Sequence, residues 1–108
     1  MTVEIDIVQS KHNDKKFTAI IHKDNGKNKQ VHFGAKGYSD YTTSHKDSER
    51  KQRYISRHKA LGENWGSRGY ETAGWFSKNI LWNKPSVKES VKDINKKFKN
   101  IHVQVKEC

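Results

Sequence analysis

At 108 residues the chain has room for one domain, and with 31% hydrophobic against 31% charged residues and a mean hydropathy of −1.10 its core must be thin. Its 22 Lys and Arg against 12 Asp and Glu leave a net charge of +10 and a pI of about 9.8, a field that draws polyanions. No apolar run approaches the roughly 18 residues of a membrane span. The N-terminus has no secretory pattern, and the single cysteine, Cys108, excludes an intramolecular disulfide, so a reducing, intracellular and non-secreted protein is expected.

Such a composition lies near that of disordered chains. Three Trp, four Tyr and four Phe, together with well-patterned segments, argue for a folded domain whose stability is marginal or borrowed from a partner. All but four of the basic residues are lysine. Lysine suits contact with phosphates or other acidic groups better than the bidentate reading of bases, which favours arginine.

In chain order, Val3, Ile5 and Ile7 alternate with Glu4 and Asp6 and predict a strand with one buried face. After a polar turn at His12-Asn13-Asp14, Lys16 to His22 alternates again with Phe17, Ala19 and Ile21 on one side. Asp24-Asn25-Gly26 signals a hairpin leading into Gln30 to Phe33. A two-residue Asn25-Gly26 loop would pair Ile20 with Val31. A three-residue Asp24-Asn25-Gly26 loop pairs Phe17 with Phe33 and Ala19 with Val31, gathers all five apolar residues on one face, and asks Gly26 to be left-handed. The second register is preferred. Thr18, His22, Gln30 and His32 then form a polar face.

Gly34 to Ser44 reads as a loop containing Tyr38 and Tyr41. A helix follows, capped by Asp47 or Ser44, with Glu49 in its first turn and an end at Gly62. Tyr54, Ile55, His58 and Leu61 mark its expected inner side, and Lys46, Arg50, Arg53 and Arg57 a basic stripe. A second glycine-rich loop holds Trp65, Arg68 and Tyr70. The stretch from Thr72 to Trp82 is the most apolar of the chain. With Thr72 as cap, one face made of Ala73, Phe76 and Ile80 and another of Trp75 and Trp82, it predicts a helix enclosed by the other elements.

Pro85 separates this hub from the clearest helix, Ser86 to Lys99. Ser86 and Glu89 make a capping box. Val87, Val91, Ile94 and Phe98 share one face, Lys88, Lys92, Lys96 and Lys99 the neighbouring edge, and Asn100 is placed to cap the end. Ile101, Val103 and Val105 predict a last strand. The layout is β-β-β-α-α-α-β. It implies a single α+β two-layer domain over residues 1–108: an antiparallel meander, a C-terminal strand returning to the sheet, and three helices on one face.

Chemistry is weakly indicated. His45-Lys46-Asp47 spells the letters of the phospholipase-D signature, but contiguously and at a helix start, where Asp47 suits a cap. Asp40, His45, Asp47 and His58 could be assembled into a metal set, yet they lack the spacing of known zinc motifs. No phosphate-binding glycine loop is present, and no cofactor is expected. The cationic signals are stronger. Few acidic residues stand four positions along from the cations of either helix row, and Tyr38, Tyr41, Trp65 and Tyr70 are candidates for stacking on bases.

Phe33-Gly-Ala-Lys-Gly-Tyr-Ser-Asp-Tyr-Thr42, His45-Lys-Asp with Arg50, Tyr54, Arg57 and His58, then Trp65, Thr72-Ala-Gly74 and Leu81-Trp-Asn-Lys-Pro-Ser86 form an ordered set. Over about residues 31–99 it resembles a family of small basic proteins encoded by large double-stranded DNA viruses of algae and protists. The resemblance brings no catalytic residue with it and implies a viral protein with a place in the virion.

The expected function is therefore a non-enzymatic viral module, binding nucleic acid or acidic capsid proteins as a minor capsid or core component. Lys46, Arg50, Arg53, Arg57, Arg68, Lys88, Lys92, Lys96 and Lys99 would carry it, in the virion or the host cell. The alternative is a small metal-dependent nuclease or phosphate-processing enzyme built on His45 and Asp47, helped by Asp40 and His58.

Overall fold

Alternation of apolar residues in the first third of the chain and again at its end produces strands, and the capped segments between produce helices. The order is β1 (Val3–Gln9), β2 (Lys15–His22), β3 (Asn28–Ala35), α1 (Ser48–Ala60), α2 (Ala73–Phe76, running on as a π-helical turn over Ser77–Leu81), α3 (Val87–Lys97) and β4 (Ile101–Val105). These come from a computed structural model that describes residues 3–11, 13–23, 26, 28–37, 40–42, 46–66 and 69–106.

The four strands form one sheet in the order β3-β2-β1-β4. The first three make the expected antiparallel meander, and β4 returns beside β1, running parallel to it. The helices between β3 and β4 supply the long crossover that parallel pairing requires. Phe17 lies opposite Phe33 and Ala19 opposite Val31, the register of the longer loop. Gly26 is left-handed at φ +80° and its N–H donates to the Lys23 carbonyl at 3.1 Å. Of the predicted turn residues, Asp24 and Asn25 lie outside the described residues.

The inward face of the sheet carries Ile5, Ile7, Ala19, Ile21, Val31, Phe33, Ile101 and Val103. Trp75, Phe76, Ile80 and Leu81 of the hub and Val91 and Ile94 of α3 close over it, so the most apolar stretch is enclosed. Phe33 stacks between Phe17 and Phe76, at centroid distances of 5.8 and 5.3 Å. Gly34 sits where β3 meets the hub: a Cβ there would come within 2.7 Å of Leu81 Cδ1, and its φ of +78° already favours glycine. The radius of gyration, 13.3 Å, equals the roughly 13 Å of a compact chain of this length, so the polar composition has not prevented close packing.

Polar groups hold the frame where apolar ones run out. Thr72 caps α2 by accepting the Trp75 N–H at 3.2 Å, and Ser86 caps α3 by accepting that of Glu89 at 3.2 Å. Buried Asn79, in the π turn, donates to the Trp75 carbonyl at 3.1 Å and presents its own backbone carbonyl to Asn83 at 3.0 Å. Asn95 of α3 faces the outer margin of β4, donating to the Val103 carbonyl at 2.9 Å and accepting the Val103 N–H at 2.8 Å.

Four expectations need correction. Ala73 is exposed, because the hub turns its Phe76–Ile80 side to the sheet and leaves its first residue at the rim. Asn100 does not cap α3. The helix stops at Lys97, and extended Phe98 closes it with its N–H on the Ile94 carbonyl. Asp6, on the face read as solvated, is only 8% exposed, because His22, Gln104 and Lys106 gather over it. Finally, Leu61, at the end of α1, is 75% exposed instead of inward-facing, since α1 rests against the hub through Tyr54 and Trp82.

Candidate polyanion-binding site

The sequence of α1 provides one large apolar anchor. Asp47 caps the helix, accepting the N–H groups of Glu49 at 3.0 Å and Arg50 at 3.4 Å, and Arg57, His58 and Lys59 complement the dipole in the last turn. Tyr54 is the helix's buried residue. Its ring lies flat on Trp82, with centroids 4.2 Å apart and planes 2° from parallel, and stacks on His58 at 4.1 Å. His58 Nδ1 is 2.7 Å from Glu63, whose other carboxylate oxygen accepts the Trp65 indole N–H at 3.0 Å. Burial, then the nearby Glu63 charge, pushes the Tyr54 phenol far above its usual range, so it stays protonated and keeps its O–H as a donor.

On one side of the Tyr54–Trp82 stack a cleft of about 1040 Å³ opens between α1 and the adjoining ends of β2 and β3. Arg50, Arg53 and Arg57 line it from the helix, Lys15 and Lys16 from β2, and Phe33, Leu81 and Trp82 give it an apolar lining. The three arginines are exposed. Lys16 is ion-paired with buried Asp40, while neither Arg53 nor Arg57 forms an ion pair with a described residue. Three of the four cations of the expected row, Arg50, Arg53 and Arg57, thus line one cleft, opposite a wall of Lys15 and Lys16 that the row did not include, while Lys46 takes no part in the lining.

Outside the cleft lining, a second group of cations converges from four segments. Lys51 of α1 donates to the Asn83 carbonyl at 2.6 Å and lies 4.9 Å from the centre of the Tyr41 ring. The Asn83 amide donates to Asp93 at 2.9 Å, and Lys97 reaches the same carboxylate at 3.3 Å. Lys84 follows Asn83 in the chain, its carbonyl held by the Thr42 hydroxyl at 2.8 Å and its N–H by Ser90 at 3.0 Å. Lys78 of the hub places its ammonium 5.3 Å over the Trp65 ring. Burial first, then the charges of Lys84 and Lys97, lowers the Lys51 pKa; burial, then Lys97 and Lys51, lowers that of Lys78. Burial would raise Asp93, but hydrogen bonds from Asn83 and Lys97 outweigh it and hold the carboxyl below its ordinary 3.8.

None of these four lysines belonged to the predicted site. Rows had been sought along single helices, and this cluster exists only in the folded chain. Lys88, Lys92 and Lys96 are exposed on α3 and Lys99 just beyond its end, but at about 100° per residue the three helical lysines lie roughly a third of a turn away from Asp93 and Lys97, the residues linked to Lys51 through Asn83. Lys97, outside the row, is the α3 cation whose charge acts on Lys51 of α1. Lys46 is exposed, with φ +53° and its ammonium 3.2 Å from the Thr42 carbonyl. Tyr41 and Trp65 are half-buried under Lys51 and Lys78, and Tyr70 packs against the core. Tyr38, His45 and Arg68 lie outside the described residues.

The residues weighed for a metal are separate and engaged: Asp40 with Lys16, Asp47 as a helix cap, His58 with Glu63. Among the described residues no group of three or more His, Cys, Asp or Glu could hold a metal ion, and no helix is long and apolar enough to cross a membrane.

Residues 5–58, from β1 through most of α1, match a family of unknown function (DUF5754), and since the match spans half of the chain, the protein belongs to that family. No curated protein and no solved structure matches it.

Proposed function

We propose that this protein is a non-enzymatic, polyanion-binding module that takes the phosphate backbone of a nucleic acid along the cleft beside α1. The observation that supports this reading is the line of Arg50, Arg53 and Arg57 facing Lys15 and Lys16 across a cleft with an apolar lining. Phosphates lie against guanidinium forks and ammonium groups, and an unstacked base meets the half-buried Trp82 at the same level. The chain's net charge of +10 brings such a partner in from a distance.

The test is retention of a labelled single- or double-stranded oligonucleotide as salt is raised. Engagement of three to five phosphates gives a slope of log K on log salt of about −2 to −4. Arg53→Ala/Arg57→Ala is expected to weaken binding by about tenfold or more and flatten the slope. A flat slope in the unaltered protein sinks the reading, and so does plasmid cleavage with Mg²⁺ or Mn²⁺ that His45→Ala abolishes.

The resemblance to proteins of large DNA viruses suggests the place where such binding is used: a minor capsid or core component, set between packaged nucleic acid and acidic shell proteins. Mass spectrometry of purified particles against infected-cell lysate tests this. Absence from particles confines the module to the host cell.

A further inference from the structure

Lys51, Lys78, Lys84 and Lys97 come from α1, the hub, the turn after it and α3, and one carboxylate, Asp93, stands among them. A chain of short contacts ties Lys51 to Lys97, and Lys84 lies near enough for its charge to act on Lys51, as those of Lys97 and Lys51 act on Lys78. Lys51 is bonded to Asn83, Asn83 to Asp93, and Asp93 to Lys97, at 2.6, 2.9 and 3.3 Å. Two of the ammonium groups lie over aromatic rings, Tyr41 and Trp65, which hold cations without neutralising them. Lys51 and Lys78 are half-buried, so water screens them less than it screens the exposed rows. Like charges gathered in this way oppose folding, and both lysines are held more weakly protonated than usual, first by burial and then by neighbouring lysine charges, Lys84 and Lys97 on Lys51, Lys97 and Lys51 on Lys78. The site is separate from the cleft: Lys51, Lys78, Lys84 and Lys97 take no part in its lining.

We infer that Lys51, Lys78, Lys84 and Lys97 form a discrete site for one multiply charged phosphate group, and that its occupant clamps α1 to α3. Compact ammonium points suit a phosphate approached from several sides, and a doubly or triply negative group relieves the mutual repulsion that a chloride only partly screens. Lys51 is also one of the few tethers of α1, so an anion shared between Lys51 and Lys97 closes the helix onto the body. The inference does not depend on the nucleic-acid reading of the cleft.

The experiment follows the thermal midpoint in chloride and in pyrophosphate at equal ionic strength, for the unaltered protein, Lys84→Met/Lys97→Met, and Arg53→Ala/Arg57→Ala. Pyrophosphate at about 100 times its half-saturating concentration is expected to raise the midpoint by roughly 10 °C in the unaltered protein. The arginine variant should respond equally, and the lysine variant by a small fraction of that. Lys84→Gln, a change at one exposed residue, repeats the measurement at milder cost to the fold and should shift half-saturation several-fold. No rise in the unaltered protein, or an equal rise in the lysine variants, overturns the site.

Competition by oligonucleotides identifies the source of the phosphate. Displacement of pyrophosphate by a 5′-phosphorylated strand but not by its 5′-hydroxyl twin assigns the site to a nucleic-acid end, and displacement by neither assigns it to a free phosphate compound. Oligonucleotide retention lost in the arginine variant alone marks the cleft as the backbone site, whatever the lysine cluster does.

Discussion

The two longer helices are similar in length and both carry net positive charge, yet they are held in different ways. α3 lays Val91 and Ile94 into the main core and ends on Phe98, whose ring meets Trp75 at 5.6 Å. α1 buries Tyr54 on Trp82 and is otherwise tethered by polar contacts from Lys51 and His58. An unbroken apolar stripe docks a helix on a sheet, whereas a single ring docks it on another ring and leaves space at its side. In this protein that space is the cleft, and the weakly held helix supplies most of the cleft's cations and one, Lys51, of the lysine cluster. Stability and binding are therefore divided between the C-terminal and central parts of the fold.

The comparison predicts its own largest effect at α3. Ile94→Ala removes a side chain with no exposure and is expected to cost about 2–5 kcal/mol, enough to unfold much of a thin-cored domain, as read from urea melts. Trp82→Ala should be smaller and local. With the ring stack gone, α1 amides exchange at near-unprotected rates while those of β1, β2 and α3 stay protected in hydrogen-exchange mass spectrometry. Equal loss of protection in both helices would erase the distinction drawn between them.

The smallest effect has the opposite sign. Lys51 and Lys78 have folded pKa values depressed below 10.5, so the unfolded chain binds more protons in the window between the folded and unfolded values. Stability carries the full penalty below that window and recovers as pH rises through the folded values toward 10.5. Lys78→Met should raise the urea midpoint at pH 7 and flatten its increase between pH 8 and 10. A lowered midpoint would mean that Lys78 is a packing residue and that its charge does not oppose folding.

Much of the architecture was legible from local pattern. Strand alternation, the Gly26 turn and the need to put Phe17, Ala19, Val31 and Phe33 on one face fixed the register. Thr72, Ser86 and Asp47 marked their helix starts because each supplies an oxygen that the first turn lacks. What escaped had tertiary causes. Nothing near Asp6 in sequence announces its burial, because His22 and Gln104 arrive from two other strands. Leu61 fitted the period of α1, but the helix meets the body along too short a stretch to cover it. The lysine cluster takes one or two cations from each of several segments, so no single window carries the signal. The α1 row was found because its members are local to one another, while Lys15 and Lys16 opposite it were not.

Asn95 has a consequence for assembly. By answering both the N–H and the carbonyl of Val103, its amide occupies the flank of β4 as a neighbouring peptide would. A second copy or a stray extended segment cannot pair at that residue without first evicting a side chain, so the middle of β4 is guarded against lengthening of the sheet from that margin.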